Sequence, residues 1–129
     1  MKNLAFYLVM MLFICSCKKE KIKRDLTGTW VYEYEIMEDG TKKYDTPYAL
    51  MDFNYSDGFI LNNDGSGSTI WYDTPNGDIE WSSAKDKLII HNQYLNGELT
   101  DYEYSIEEVK TTSLMFENYK GKKYYMKKQ

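Results

Sequence analysis

Alternation with a period of two, carried mostly by aromatic residues and repeated from residue 28 to the C-terminus, constrains this chain more than any other feature. In GTWVYEYEIM (28–37), Trp30, Tyr32, Tyr34 and Ile36 share one face, with Val31, Glu33, Glu35 and Met37 on the other. STIWYD sets Ile70 and Tyr72 against Thr69 and Trp71, and TDYEYSIEEV sets Tyr102, Tyr104 and Ile106 against Glu103, Ser105 and Glu107. Leu114 and Phe116 share a face further on, and KKYYMKK ends the chain. Side chains of an extended backbone point alternately to its two faces, so this pattern predicts half-buried strands; no apolar stripe of period 3.6 lasts beyond two turns. Between the strands, Asp39-Gly40, Asp57-Gly58, Asp64-Gly65, Asn76-Gly77, Asn96-Gly97 and Lys120-Gly121 put glycine where tight hairpins need positive φ. Asn96-Gly97 is the clearest two-residue turn. Pro47 and Pro75 are expected in connections, where a missing N–H breaks no ladder. Strands spaced roughly 8–12 residues apart and joined by short hairpins predict an all-β, antiparallel up-and-down meander of about eight strands. Such a meander removes its exposed edges by closing into a β-barrel.

Ahead of this region, Lys2 precedes eleven uncharged residues, 4–14. That is too short to cross a hydrocarbon core of roughly 30 Å, which takes about 20 helical residues, and it has the layout of a secretory signal peptide. The run ends Ile14-Cys15-Ser16-Cys17, which resembles the bacterial lipobox: an aliphatic residue and two small ones before an invariant cysteine. Cys17 fits as the modified residue; choosing Cys15 would put Ile14 at −1, where a small residue belongs. The resemblance implies a diacylglyceryl thioether on Cys17, cleavage before it, and an added amide-linked palmitate-type chain. At about 0.8 kcal/mol per buried methylene, two or three chains anchor a protein permanently. Expected units are a signal peptide (1–16), a lipidated cysteine with a basic tether (17–25) and a barrel domain (26–129). Cleavage removes one charge, Lys2, and takes the net charge from −4 to −5. The tether Lys18-Lys19-Glu20-Lys21-Ile22-Lys23-Arg24 suits either anionic headgroups or solvent. An acidic domain outside the cytoplasm excludes a nucleic-acid arm. The expected place is the cell envelope, at the outer membrane facing the periplasm or surface-exposed, since Lys18 is not the Asp that holds such proteins at an inner membrane.

LTGTW (26–30) carries a Gly-x-Trp motif in Gly28 and Trp30, and FILNNDGSGS, IEW, KLII and YEYSIEEVKTTSLMF follow in order. In this the chain resembles the small lipocalin-like lipoproteins of Bacteroidota, over about residues 26–127. The resemblance implies a lipocalin-like barrel with Trp30 packed across its closed end. Two departures stand out: no long lid loop is evident, and no motif supplies the arginine that stacks on that tryptophan. A roomy cavity is therefore not implied.

Little in the residue inventory points to catalysis. The only cysteine left after cleavage is the anchor, and His91 is the only histidine, so a zinc site lacks its N and S donors. A lone strand histidine reads as a surface or half-buried residue. Aligning Gly65 with the sixth position of a calcium loop puts Ile60 and Trp71 where acids must stand, so NNDGSGS is a hairpin. Carboxylates are plentiful, and a pair such as Glu33 and Glu103 could in principle do glycosidase work, yet the alternation places both opposite the aromatic faces, on the solvent side. The expectation is a protein without enzymatic activity and without a metal or other cofactor. Tyrosine is the remaining signal: after the leader, 18 aromatics include 12 tyrosines. Trp30, Tyr32, Tyr34, Tyr72, Tyr102 and Tyr104 are the expected inward set, either plain core or the lining of a pocket. The partners expected are the membrane, through the anchor, and either a small hydrophobic or amphipathic ligand or an envelope protein contacted by a filled, monomeric barrel.

Overall fold

From residue 58 onward each strand pairs with the next through a tight connection, and the first strand of the chain closes on the last. The computed structural model describes residues 25–129; the signal peptide, Cys17 and most of the basic tether lie outside the described residues. Nine antiparallel strands follow: β1 (Gly28–Ile36), β2 (Lys42–Lys43), β3 (Gly58–Leu61), β4 (Ser66–Trp71), β5 (Thr74–Ala84), β6 (Lys87–Leu95), β7 (Glu98–Val109), β8 (Ser113–Glu117) and β9 (Lys123–Lys128). β1 pairs with β9 from Trp30↔Lys128 to Ile36↔Lys123, closing an eight-stranded up-and-down barrel. The short β2 is an addition that pairs with the last residues of β1 beyond the reach of β3. Closure gives each of the eight barrel strands a paired neighbour on both sides, the usual remedy for exposed edges.

Alternate residues fill the bore. Phe59 and Leu61, Ile79 and Trp81, Leu88 and Ile90, Tyr102 and Tyr104, Leu114 and Phe116, and Tyr124 and Met126 are all buried and belong to one cluster. Aromatic edges meet across the interior, with Phe116 5.8 Å from both Phe59 and Tyr104. At one end, Trp30 is fully buried and its Nε1 donates to the Leu26 carbonyl at 2.7 Å, drawing the chain's entry across the barrel. The Lys128 ammonium stands 5.2 Å above the Trp30 ring. Gly28, at φ +141°, is what makes room for it, because a Cβ there would run into the Lys128 side chain. The cation over the motif's tryptophan is therefore present, supplied by a lysine with no motif around it.

Several expectations are corrected here. A bulge between Tyr32 and Tyr34 leaves Glu33 unpaired and shifts the phase of β1 by one residue. Tyr32 faces Met126 on the inside, but Tyr34 lies opposite Tyr125 on the outside, and the two rings stack at 4.7 Å. Glu35, opposite the buried Tyr124, is turned to the mouth instead of solvent. Tyr72 is 67% exposed, in the two-residue turn Tyr72–Asp73 between β4 and β5. That turn, and not Asn76-Gly77, reverses the chain; Asn76, Gly77 and Pro75 all lie within β5, Pro75 beside a second bulge. Asn96-Gly97 makes the expected turn, at φ +51° and +84° between Leu95 and Glu98. Finally, a long lid does exist: residues 37–57 join β1 to β3, interrupted only by β2.

Candidate functional site: the mouth of the barrel

The lid enters the open end as a plug. Leu50 and Met51 are fully buried, and the Met51 carbonyl accepts a hydrogen bond from Tyr104 Oη at 2.8 Å. Ser56, also fully buried, accepts at Oγ from the Met51 N–H (3.0 Å), and its carbonyl accepts from the Leu50 N–H (3.0 Å). Phe53 packs 5.5 Å from Tyr102. Asp52 completes the plug at φ +64°, its Oδ2 accepting from the Tyr119 N–H at 3.0 Å while Oδ1 is buried without a hydrogen bond. Burial holds its carboxyl above the usual value, opposed by the Tyr119 N–H and by the Lys120 and Lys122 ammonium groups.

Above the plug lies a polar cavity of about 390 Å³, lined by Glu35, Lys43, Asp45, Asn118, Lys120 and Tyr124 among others. A second, of about 610 Å³, shares Glu35, Lys120 and Lys122 with it and opens beside Met37 and Asp39. Ammonium and carboxylate groups are mixed at this mouth, so it suits a polar or zwitterionic group better than a hydrocarbon chain. Tyr32 bridges wall and lid, its Oη donating to the Lys43 carbonyl at 2.6 Å and its ring meeting Tyr124 edge-on at 5.8 Å. Burial, then the nearby Glu35 and Asp45, raises the Tyr32 hydroxyl to about 12. Tyr124 is raised as well, first by burial and next by Glu35.

Of the six aromatic positions expected to face inward, Trp30, Tyr102 and Tyr104 are packed into the core and Tyr32 stands at the mouth. Tyr34 and Tyr72 are outside, for the reasons given above. Glu33 and Glu103 pair separately, with Lys127 (3.4 Å) and Lys87 (3.0 Å). No group of three or more His, Cys, Asp or Glu side chains among the described residues is placed to hold a metal ion.

One arrangement escaped sequence reasoning because its parts lie on three strands. His91 Nε2 is 2.7 Å from Ser82 Oγ and His91 Nδ1 is 3.4 Å from Asp101 Oδ2, on the outer faces of β5, β6 and β7. The bulge at His91–Asn92 creates it, with Asn92 at φ +56° donating its N–H to Asp101 Oδ1 at 2.8 Å. The order of contacts is that of a Ser–His–Asp triad. Nucleophilic chemistry also needs an enclosed place for the reacting acyl group, and none of the cavities at the mouth or beside β1 touches these residues.

No protein-family model and no curated protein matches the chain. Among solved structures, a lipocalin-like protein from Bacteroides uniformis superimposes with a TM-score of 0.52 at 19% identity, over 81% of this chain and 99% of that one. At that identity the likeness concerns the fold, and with the closed eight-stranded meander it makes this chain a lipocalin-like β-barrel.

Proposed function

We propose that the chain is a lipid-anchored, non-enzymatic protein of the cell envelope, whose barrel is a filled scaffold that binds its partner at the open end and outer face. The observation that carries this reading is the plug: Leu50 and Met51 occupy the place a bore ligand would take, and Tyr104 fastens them there. The lipobox-like Ile14-Cys15-Ser16-Cys17 supports the anchor, and Lys18 behind it supports the outer membrane, facing the periplasm. Palmitate-analogue labelling should mark the native chain and not Cys17→Ala; a labelled Cys17→Ala protein would overturn the anchor.

A second reading has an observation of its own. Asp52 sits at the tip of the plug with positive φ and an unbonded buried oxygen, so the plug carries built-in strain. A small hydrophobic or amphipathic ligand that displaced residues 50–53 would relieve that strain and open the bore. Native mass spectrometry separates the two, comparing protein taken from its own envelope with protein made elsewhere. An adduct of a few hundred daltons in the envelope sample alone establishes the carrier. A clean mass in both leaves the filled scaffold.

A further inference from the structure

Beside the mouth, on the outer surface, four aromatic rings are held together in water. Trp71, the last residue of β4, is surrounded by Tyr72, Tyr55 and Tyr48, with ring centroids at 4.4, 6.0 and 6.1 Å. The three tyrosines are 67–72% exposed. Single exposed aromatics need no explanation, but a cluster of this kind marks a contact surface.

The rings are positioned from beneath. Thr69 Oγ1 accepts from Asn54 Nδ2 and donates to Asn76 Oδ1, both at 2.6 Å, and Asn76 Nδ2 donates to the Tyr55 carbonyl at 2.5 Å. This fixes residues 54 and 55 onto β4 and β5. Tyr48 is fixed in the same way, its carbonyl accepting from the Ser56 N–H at 2.9 Å. Tyr72 is the most informative. It and Asp73 occupy a two-residue hairpin with φ of +48° and +63°, positions where asparagine and glycine are at ease and a tyrosine is strained. Folding alone would favour Asn-Gly there, as at Asn96-Gly97. Strain kept at an exposed ring is an argument for use.

The surroundings narrow the chemistry. Asp57 and Asp73 flank the rings and share a cavity of about 260 Å³ with Thr46 and Tyr32. Carboxylates repel phosphate groups, and both carboxylates and phenolic hydroxyls accept hydrogen bonds from hydroxyls. The platform lies at the end of the barrel opposite Asp25. Flat rings bordered by neutral and anionic acceptors match a pyranose, whose C–H face packs on an aromatic ring while its hydroxyls reach the rim. Resting on the reading that binding takes place outside the bore, we propose that Trp71, Tyr72, Tyr55 and Tyr48, rimmed by Asp57 and Asp73, form a binding platform for a neutral glycan chain.

Affinity electrophoresis of the full chain in a polyoxyethylene detergent tests this, with gels containing hydroxyethylcellulose, xylan, galactomannan or starch. The expected result is retardation by at least one polysaccharide, weakened at least tenfold in both Trp71→Ala and Tyr72→Gly. Tyr72→Gly should also melt no lower than the native chain, because glycine relieves the turn, so loss of binding cannot be loss of fold. No retardation in any gel, or retardation that either variant leaves unchanged, overturns the glycan platform. Binding of a proline-rich peptide or of phosphatidylglycerol vesicles that depends on Trp71, without glycan retardation, overturns the glycan and keeps the outer face as the site of binding. A bore adduct with no Trp71-dependent binding overturns both.

Discussion

Trp30 shows how one residue can join the sequence motif to the closed end of the barrel. Its ring is fully buried, its single donor is used by Leu26, and its face is covered by Lys128. Trp30→Ala should therefore destabilise by about 3–5 kcal/mol, as large aromatic truncations in cores do; an unchanged urea midpoint would place the ring outside the core. Position and burial of Trp30 were legible from Gly28-x-Trp30. Lys128 was not, because a cation two residues past the core position Met126, at the end of β9, reads as an ordinary terminal lysine until closure brings β9 beside β1. Asp52 makes the complementary case. Burial raises its folded pKa above the ordinary value, so the folded state holds the proton more tightly than the unfolded one. Stability is then highest with the carboxyl protonated, and falls as pH rises from the unfolded pKa through the folded one. Asp52→Asn keeps an acceptor for the Tyr119 N–H, tolerates positive φ and removes the buried charge. It should raise the melting temperature at pH 7 and lose that advantage below about pH 4, near the unfolded carboxylate pKa. A variant less stable than native at pH 7 would show that the charge is compensated.

At the scale of elements, alternation found the strands and the bulges decided which way they face. Glu33 in β1 and Asn76 in β5 each break the two-residue phase, and both follow from local pairing that single-sequence patterning does not contain. The same is true of Tyr72: IWYD reads as continued alternation, while the register of β4 on β5 turns the chain at Tyr72–Asp73. The lid was missed for a different reason. Residues 44–57 carry no alternation and include three Asp and three Tyr, so they read as a solvated connection, yet Leu50 and Met51 within them are core residues. Leu50→Ala tests this assignment. As a loop residue it would change stability by less than about 0.5 kcal/mol, whereas as a core residue it should cost about 2–5 kcal/mol. Chemical denaturation gives the answer directly, and a cost below 1 kcal/mol would make the plug a loosely seated flap.

For the molecule as a whole, the described barrel is held by packing and ladder hydrogen bonds, with an interior unusually rich in phenolic hydroxyls. That choice sets an alkaline limit. Tyr32, Tyr104 and Tyr124 all keep their protons above the ordinary tyrosine pKa near 10, and in each the first cause is burial, which disfavours the phenolate. The unfolded chain releases these protons near pH 10 and the folded barrel only higher, so between the two the folded state binds more protons. Stability must then fall as pH rises above about 10, more steeply than a single group would produce. Tyr104 is the most deeply placed of the three, with its hydroxyl donating to the plug at Met51. Tyr104→Phe removes one titrating group and leaves the Met51 carbonyl without its donor, at a cost of about 1–3 kcal/mol near neutrality. It should therefore be less stable than the native chain at pH 7 and lose stability more gradually above pH 10, so that the two curves converge. Urea midpoints from pH 7 to 11.5 measure both effects. Curves that stay parallel would mean that the Tyr104 hydroxyl does not hold its proton through folding, and that the bore is wetter than its packing indicates.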